Sequence, residues 1–90
     1  MGDVVSVRVE ALIEFRSRFI RFNQMLAEER RTMRASWSGL HDAWRDHKYE
    51  ELGQSLAQVE AGIDQYLRTT DEYEAHLLRL IEKAQAYLDT

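Results

Sequence analysis

Residues 49–87 read YEELGQSLAQVEAGIDQYLRTTDEYEAHLLRLIEKAQAY. Within them Tyr49, Leu52, Leu56, Val59, Ile63, Tyr66, Thr70, Tyr73, Leu77, Leu80, Ala84 and Tyr87 alternate strictly by three and four. That spacing is the signature of a helix carrying an unbroken heptad seam. Outward from it, the first half repeats the pattern less cleanly at Leu12, Phe15, Phe19, Phe22, Leu26, Met33 and Leu40, with Glu29 and Ser36 as polar members of the row. Trp37 and Trp44 lie seven apart, one position beyond this seam. Proline, the strongest helix breaker, is absent. At about 1.5 Å per residue each helix would run roughly 50–60 Å.

The two seams do not join. Continued by sevens from Leu40, the first would place an apolar residue at 47, where His47 stands, and the second starts at Tyr49, two positions out of phase. A phase jump of that kind predicts a reversal. The expected fold is therefore all-α: an antiparallel helical hairpin with a helix over about 9–44, a turn at 45–48 and a helix over about 48–88. Asp46 is placed to cap the second helix, and Glu50 and Glu51 suit the positive end of its dipole. Gly39 reads as internal to the first helix, at a propensity cost of up to about 1 kcal/mol.

Folding the chain back about Asp46 pairs residues whose numbers total 92, so that Leu12 meets Leu80, Phe19 meets Tyr73 and Leu40 meets Leu52. In this register Gly39 faces Gly53, leaving room for Trp37 or Trp44 to lie across the pair. Glu29 faces Ile63, where it would either accept a hydrogen bond from Tyr66 or curl outward. The alternation of Val5, Val7 and Val9 predicts a loose or extended stretch over 1–8, within a single domain spanning 1–90.

A second apolar stripe falls off the seam: Ile13, Ile20, Met25, Leu67, Leu78, Ile81 and Leu88. Burial of one such side chain contributes about 1.5–3 kcal/mol, so a lone hairpin would leave much stabilisation unrealised. Two hairpins dimerised into a four-helix bundle would cover the stripe. The expected partner is a second copy or a paralogous hairpin.

Charge excludes some partners. The net charge is −4, from a first half with eight Arg against six acids and a second half with four Lys or Arg against ten. An acidic chain of this kind is a poor match for nucleic acid. No apolar run approaches the ~20 residues of a membrane span, so no stable insertion is expected. The start MGDVVSVRVE lacks a basic region followed by an apolar block and does not read as a secretory signal peptide. The chain is expected to be cytoplasmic when made, with any export by a route independent of such a signal.

The residues also argue against catalysis. There is no cysteine, no phosphate-cradling glycine loop, and no serine set beside a histidine and an orienting acid. His41 and His47 flank the expected turn and His76 lies far along the second helix, so three ligands cannot converge on a metal. No cofactor is expected. Arg16, Arg30, Arg31 and Arg34 gather on one face of the first helix, where pairing with acids of the facing helix or solvation is expected to occupy them.

The stretch MRASWSGLHDAWRDHKYEELGQSL, residues 33–56, carries a resemblance. A tryptophan near residue 44, at the turn between two helices of about 40 residues, resembles the WXG family. These are the small helical-hairpin proteins of type VII secretion, similar to the early secreted antigenic target. Trp37-Ser38-Gly39 matches the letters WxG inside the first helix. Trp44-Arg45-Asp46 sits at the expected turn as a divergent W-x-D form, and the motif is placed there. The resemblance implies a substrate, co-secreted partner or adaptor of a secretion apparatus, facing partners at Trp44, Asp46 and the carboxy-terminal end of the second helix; Trp37, Gly39 and the apolar stripe complete the candidate partner-binding positions. Besides the Asp at 46, the chain departs from the family in a second respect: no tyrosine is followed four residues on by Asp or Glu, as in the family's YxxxD/E export signal. The alternative expectation is an intracellular coiled-coil adaptor or assembly subunit that is not exported.

Overall fold

The computed structural model describes the backbone of residues 2–89 and the side chains of 8–88. It is an all-α helical hairpin of two helices, α1 (Gly2–Leu40) and α2 (His47–Asp89), joined by a turn at 41–46. α1 differs from expectation at both ends. It begins at Gly2, so residues 2–8 are helical and not extended. Three β-branched residues cost a helix only tenths of a kcal/mol each, which does not outweigh the propagation of a helix already nucleated downstream. It ends at Leu40, not Trp44.

The early stop has a local cause. Gly39 weakens the last turn, and the Leu40 carbonyl then accepts from both the Ala43 amide at 2.9 Å and the Trp44 amide at 3.1 Å, closing one tight turn that goes no further. Arg45 Nε donates to the His41 carbonyl at 3.1 Å, satisfying another group the helix end leaves open. α2 then starts as expected from Asp46, whose carboxylate accepts from the Tyr49 amide at 3.0 Å. The reversal occupies six residues beginning at His41, in place of the four at 45–48.

The chain divides into two compact units. One comprises Met1–Asn23 and Thr69–Thr90, the other Gln24–Arg68. In each, a stretch of α1 packs antiparallel against a stretch of α2.

In the Gln24–Arg68 unit the least exposed positions of α1 include Leu26, Arg30, Trp37 and Leu40, and those of α2 include Gly53, Leu56, Glu60, Ile63 and Leu67. In the other unit they include Val9, Leu12, Arg16, Phe19 and Asn23 on α1, and Thr70, Glu74, Leu77, Ile81 and Ala84 on α2. Both helices keep the three-four rhythm, yet most alternate members of the expected seam are exposed; Tyr66 of that row stays half-buried, and Met33 of the shared row is exposed. The alternate row is replaced by its neighbour one residue on. Phe15 and Phe22 give way to Arg16 and Asn23, Glu29 and Ser36 to Arg30 and Trp37, and Tyr73 and Leu80 to Glu74 and Ile81. The packed face of each helix is thus turned about 50° from the expected one.

Polar pairs across the helices accompany this turn. Arg30 pairs with Asp64 at 3.1 Å and Arg34 with Glu60 at 2.8 Å. The residue numbers total 94 in both, two more than the expected 92. In the other unit Asn23 Nδ2 donates to Glu74 Oε2 at 3.1 Å, and Arg16 Nε donates to the Glu74 carbonyl at 2.9 Å. Asn23 is 5% exposed and Thr70 4%, beside Val9 and Ile81 as the buried apolar residues among those described. Every buried side-chain polar atom among the described residues has a partner, as burial requires.

Candidate partner-docking face

The row that turned away from the helix–helix contact is strongly apolar and lies in water. In the unit of residues 1–23 and 69–90, Phe15 is 53% exposed, Phe22 55%, Tyr73 57%, Leu80 40% and Tyr87 59%. In the other unit Leu52 and Val59 of this row are likewise exposed, as is Met33 of the inward row. These are the residues the heptad pattern assigns to the core.

Their placement follows from helix geometry. In an antiparallel pair the two right-handed helices wind in opposite senses when viewed from one end. Turning both by the same sense in sequence therefore swings both displaced rows to one side of the pair. Within the 1–23 and 69–90 unit, Phe15 and Phe22 of α1 and Tyr73, Leu80 and Tyr87 of α2 share that side. Leu80 and Tyr87 form part of a groove of ≈310 Å³ with Leu12 and Ala84, and Arg8 and Lys83 line it too.

The opposite side of the same unit holds part of the second apolar stripe. Ile13, Ile20, Leu78 and Ile81 come together around a hollow that Arg16, Ser17 and Gln85 complete. Of these, Ile81 is buried at 6%, Ile20 is half-buried, and Ile13 and Leu78 are exposed at 44% and 40%. Leu88 of this unit is exposed. In the other unit Leu67 is half-buried and Met25 exposed. So the stripe expected outside the hairpin supplies some of its core, and half of the expected core lies outside.

The turn gathers aromatics. Trp37 stacks on Tyr49 with ring centroids 4.3 Å apart and 7° between planes, and Trp44 meets Tyr49 edge-on at 5.6 Å. His41 lies beside the same ring, with Nδ1 3.5 Å from the phenol oxygen. Gly53 is what lets Trp37 in: a Cβ there would sit 2.9 Å from Trp37 Cζ2. The expected glycine pair is only half present, because a Cβ at Gly39 would meet nothing within 4 Å. Trp37-Ser38-Gly39 forms the last turn of α1, while Trp44 lies in the turn and Asp46 caps α2. Both indoles are half-buried against Tyr49. Glu29, for which the sequence leaves two fates open, is exposed.

Electrostatics are local. Asp64 lies between Arg68 and Arg30, and the hydrogen bonds and charge of these guanidiniums, Arg68 foremost, hold its carboxyl below the ordinary value of 3.8. Among the described residues no three His, Cys, Asp or Glu stand close enough to hold a metal ion, and no helix is long and apolar enough to cross a membrane. Comparison of the chain with protein-family models, curated proteins and solved structures finds no match.

The exposed face is hard to read from sequence because its residues fit the heptad as well as the true seam does. Polarity gives no guide on α1, because shifting by one residue exchanges Glu29 and Ser36 for Arg30 and Trp37 but also Phe15 and Phe22 for Arg16 and Asn23.

Proposed function

We propose that this chain acts by binding other helical protein chains, through the side formed by Phe15, Phe22, Tyr73, Leu80 and Tyr87, and that it catalyses no reaction. The exposure of that row carries the reading. Five large apolar side chains at heptad spacing on one side of a helix pair are what a bundle partner covers. The partner is a second copy or a paralogous hairpin.

Light scattering on the wild-type chain and on a Tyr73→Glu/Leu80→Glu variant tests this. Either a wild-type species of twice 10.6 kDa or a defined complex with a paralogue supports the docking role, provided that the variant stays helical at 10.6 kDa. A wild-type monomer with no paralogue complex, whose melting temperature the two glutamates leave unchanged, would remove the docking role.

The finer reading is a substrate, co-secreted partner or adaptor of type VII secretion. It is supported by the letters W-S-G at Trp37–Gly39, one residue before the turn, in a hairpin of the length this family uses. On this reading the literal motif at Trp37 stands beside the divergent form at Trp44. Appearance of the protein in culture medium without lysis, lost in Trp37→Ala but not in a variant at exposed Gln58, is the expected result. Retention inside the cell would favour the adaptor reading.

A further inference from the structure

We infer that the groove of Leu12, Leu80, Ala84 and Tyr87 seats an aromatic or aliphatic anchor from a partner helix whose flanking residues are Asp or Glu, paired with Arg8 and Lys83. This rests on the protein-docking reading above and specifies the chemistry of the partner.

The argument is the distribution of charge around the apolar face of the 1–23 and 69–90 unit. The exposed row there holds Arg8, Phe15 and Phe22 on α1 and Tyr73, Leu80 and Tyr87 on α2. The adjoining row, one residue before the inward positions 12, 19, 70, 77 and 84, holds Ala11, Arg18, Thr69, His76 and Lys83. No carboxylate occurs on either row, although the chain as a whole carries 16 acids against 12 Lys and Arg. The acids of this stretch sit on the remaining helix rows, as Glu10, Glu14, Asp71, Glu72, Glu74 and Glu82 do. Arg18 is matched in part by Glu14 at 3.1 Å, one turn back on its own helix. Arg8 and Lys83 both line the groove and are themselves exposed.

A face with an apolar centre and a cationic rim selects its partner by the rim. A second copy docking through this face would bring one cationic patch, with Arg8, Arg18 and Lys83 and no carboxylate on its two rows, against another, since a two-fold interface pairs a patch with itself. Like charges at a rim weaken that pairing. A different helix with acids beside its anchor satisfies both the groove and the rim.

The test is a displayed library of amphipathic helices with a fixed apolar seam and randomised flanks, sorted against the full-length chain and against an Arg8→Glu/Lys83→Glu variant. The variant's helicity is verified by circular dichroism. Helices recovered on the wild type should be enriched in Asp and Glu beside the anchor. They should bind the double variant about tenfold more weakly, with the flank preference inverted. Flanks enriched in Lys or Arg, or unenriched flanks on binders that Leu80→Glu abolishes, overturn the inference and leave the docking reading standing. Recovery of no binders overturns both. A wild-type chain that forms a stable dimer of twice 10.6 kDa through this face, broken by Leu80→Glu, would identify a second copy as the occupant and overturn the acidic partner. Vesicles of anionic lipid that bind the chain in a Leu80-dependent way, in the absence of helix binders, would reassign the face to a membrane surface.

Discussion

The Trp37 indole lies over the bare Cα of Gly53, so close that a single methyl group there would stand 2.9 Å from its Cζ2. The other face of that relationship is Tyr49, stacked on the same indole at 4.3 Å. One glycine, early in α2, thus fixes where the end of α1 can settle.

Alanine at two glycines of α2 should act with opposite sign. A methyl group at Gly62 would meet open space, so Gly62→Ala should stabilise the chain by about 0.5–1 kcal/mol through helix propensity. Gly53→Ala gains the same propensity but displaces the stacked indole, with a net loss of about 1–2 kcal/mol and a shift in tryptophan fluorescence. Urea unfolding followed by circular dichroism and fluorescence gives both. Equal stabilisation by the two would mean that Trp37 is not held there.

Asp46→Ala removes the acceptor for the Tyr49 amide and should cost about 1 kcal/mol, whereas Asp46→Asn or Asp46→Ser should recover most of it. The same unfolding assay reads the series, and a neutral alanine would place the start of α2 elsewhere.

Glu74 serves both Asn23 and, through its carbonyl, Arg16. Glu74→Ala leaves the carbonyl but takes the carboxylate from an amide that is 5% exposed, and should destabilise by about 1–2 kcal/mol. Glu74→Gln should cost less, because it keeps an acceptor for that amide. Comparing the two variants by thermal melting separates the hydrogen bond from the charge.

The pH dependence concerns Asp64. Arg68 and Arg30 lower its folded pKa below the ordinary 3.8, so its contribution is fully present above the unfolded value and is lost as pH falls through the folded one. Stability measured from about pH 5 down to about pH 2 should therefore fall more steeply for the wild type than for Asp64→Asn. Parallel curves would show that the pairing is too solvated to matter.

How much of this is legible without the fold differs by feature. Two helices, their reversal between Leu40 and Tyr49, and the cap at Asp46 follow from apolar spacing, an absent proline and one well-placed carboxylate. Spacing alone places the seam one row off. Its α1 version contains Glu29 and Ser36, and its α2 version puts Tyr73 and Leu80 inside, where the structure has Glu74 and Ile81. Valine alternation misplaces the start of α1 because it is a short-range signal, while helix propagation is cooperative over many residues.

By itself, then, the sequence determined that the chain is an all-α hairpin, because periodicity, missing breakers and capping are properties of one segment at a time. Only the tertiary structure decided which side of each helix is inside. Two candidate faces on a helix of 3.6 residues per turn lie only about 50° apart and share every second residue. The choice between them depends on matches across the pair, Arg30 with Asp64, Asn23 with Glu74 and Trp37 with Gly53. Such matches exist only once the second helix is in place.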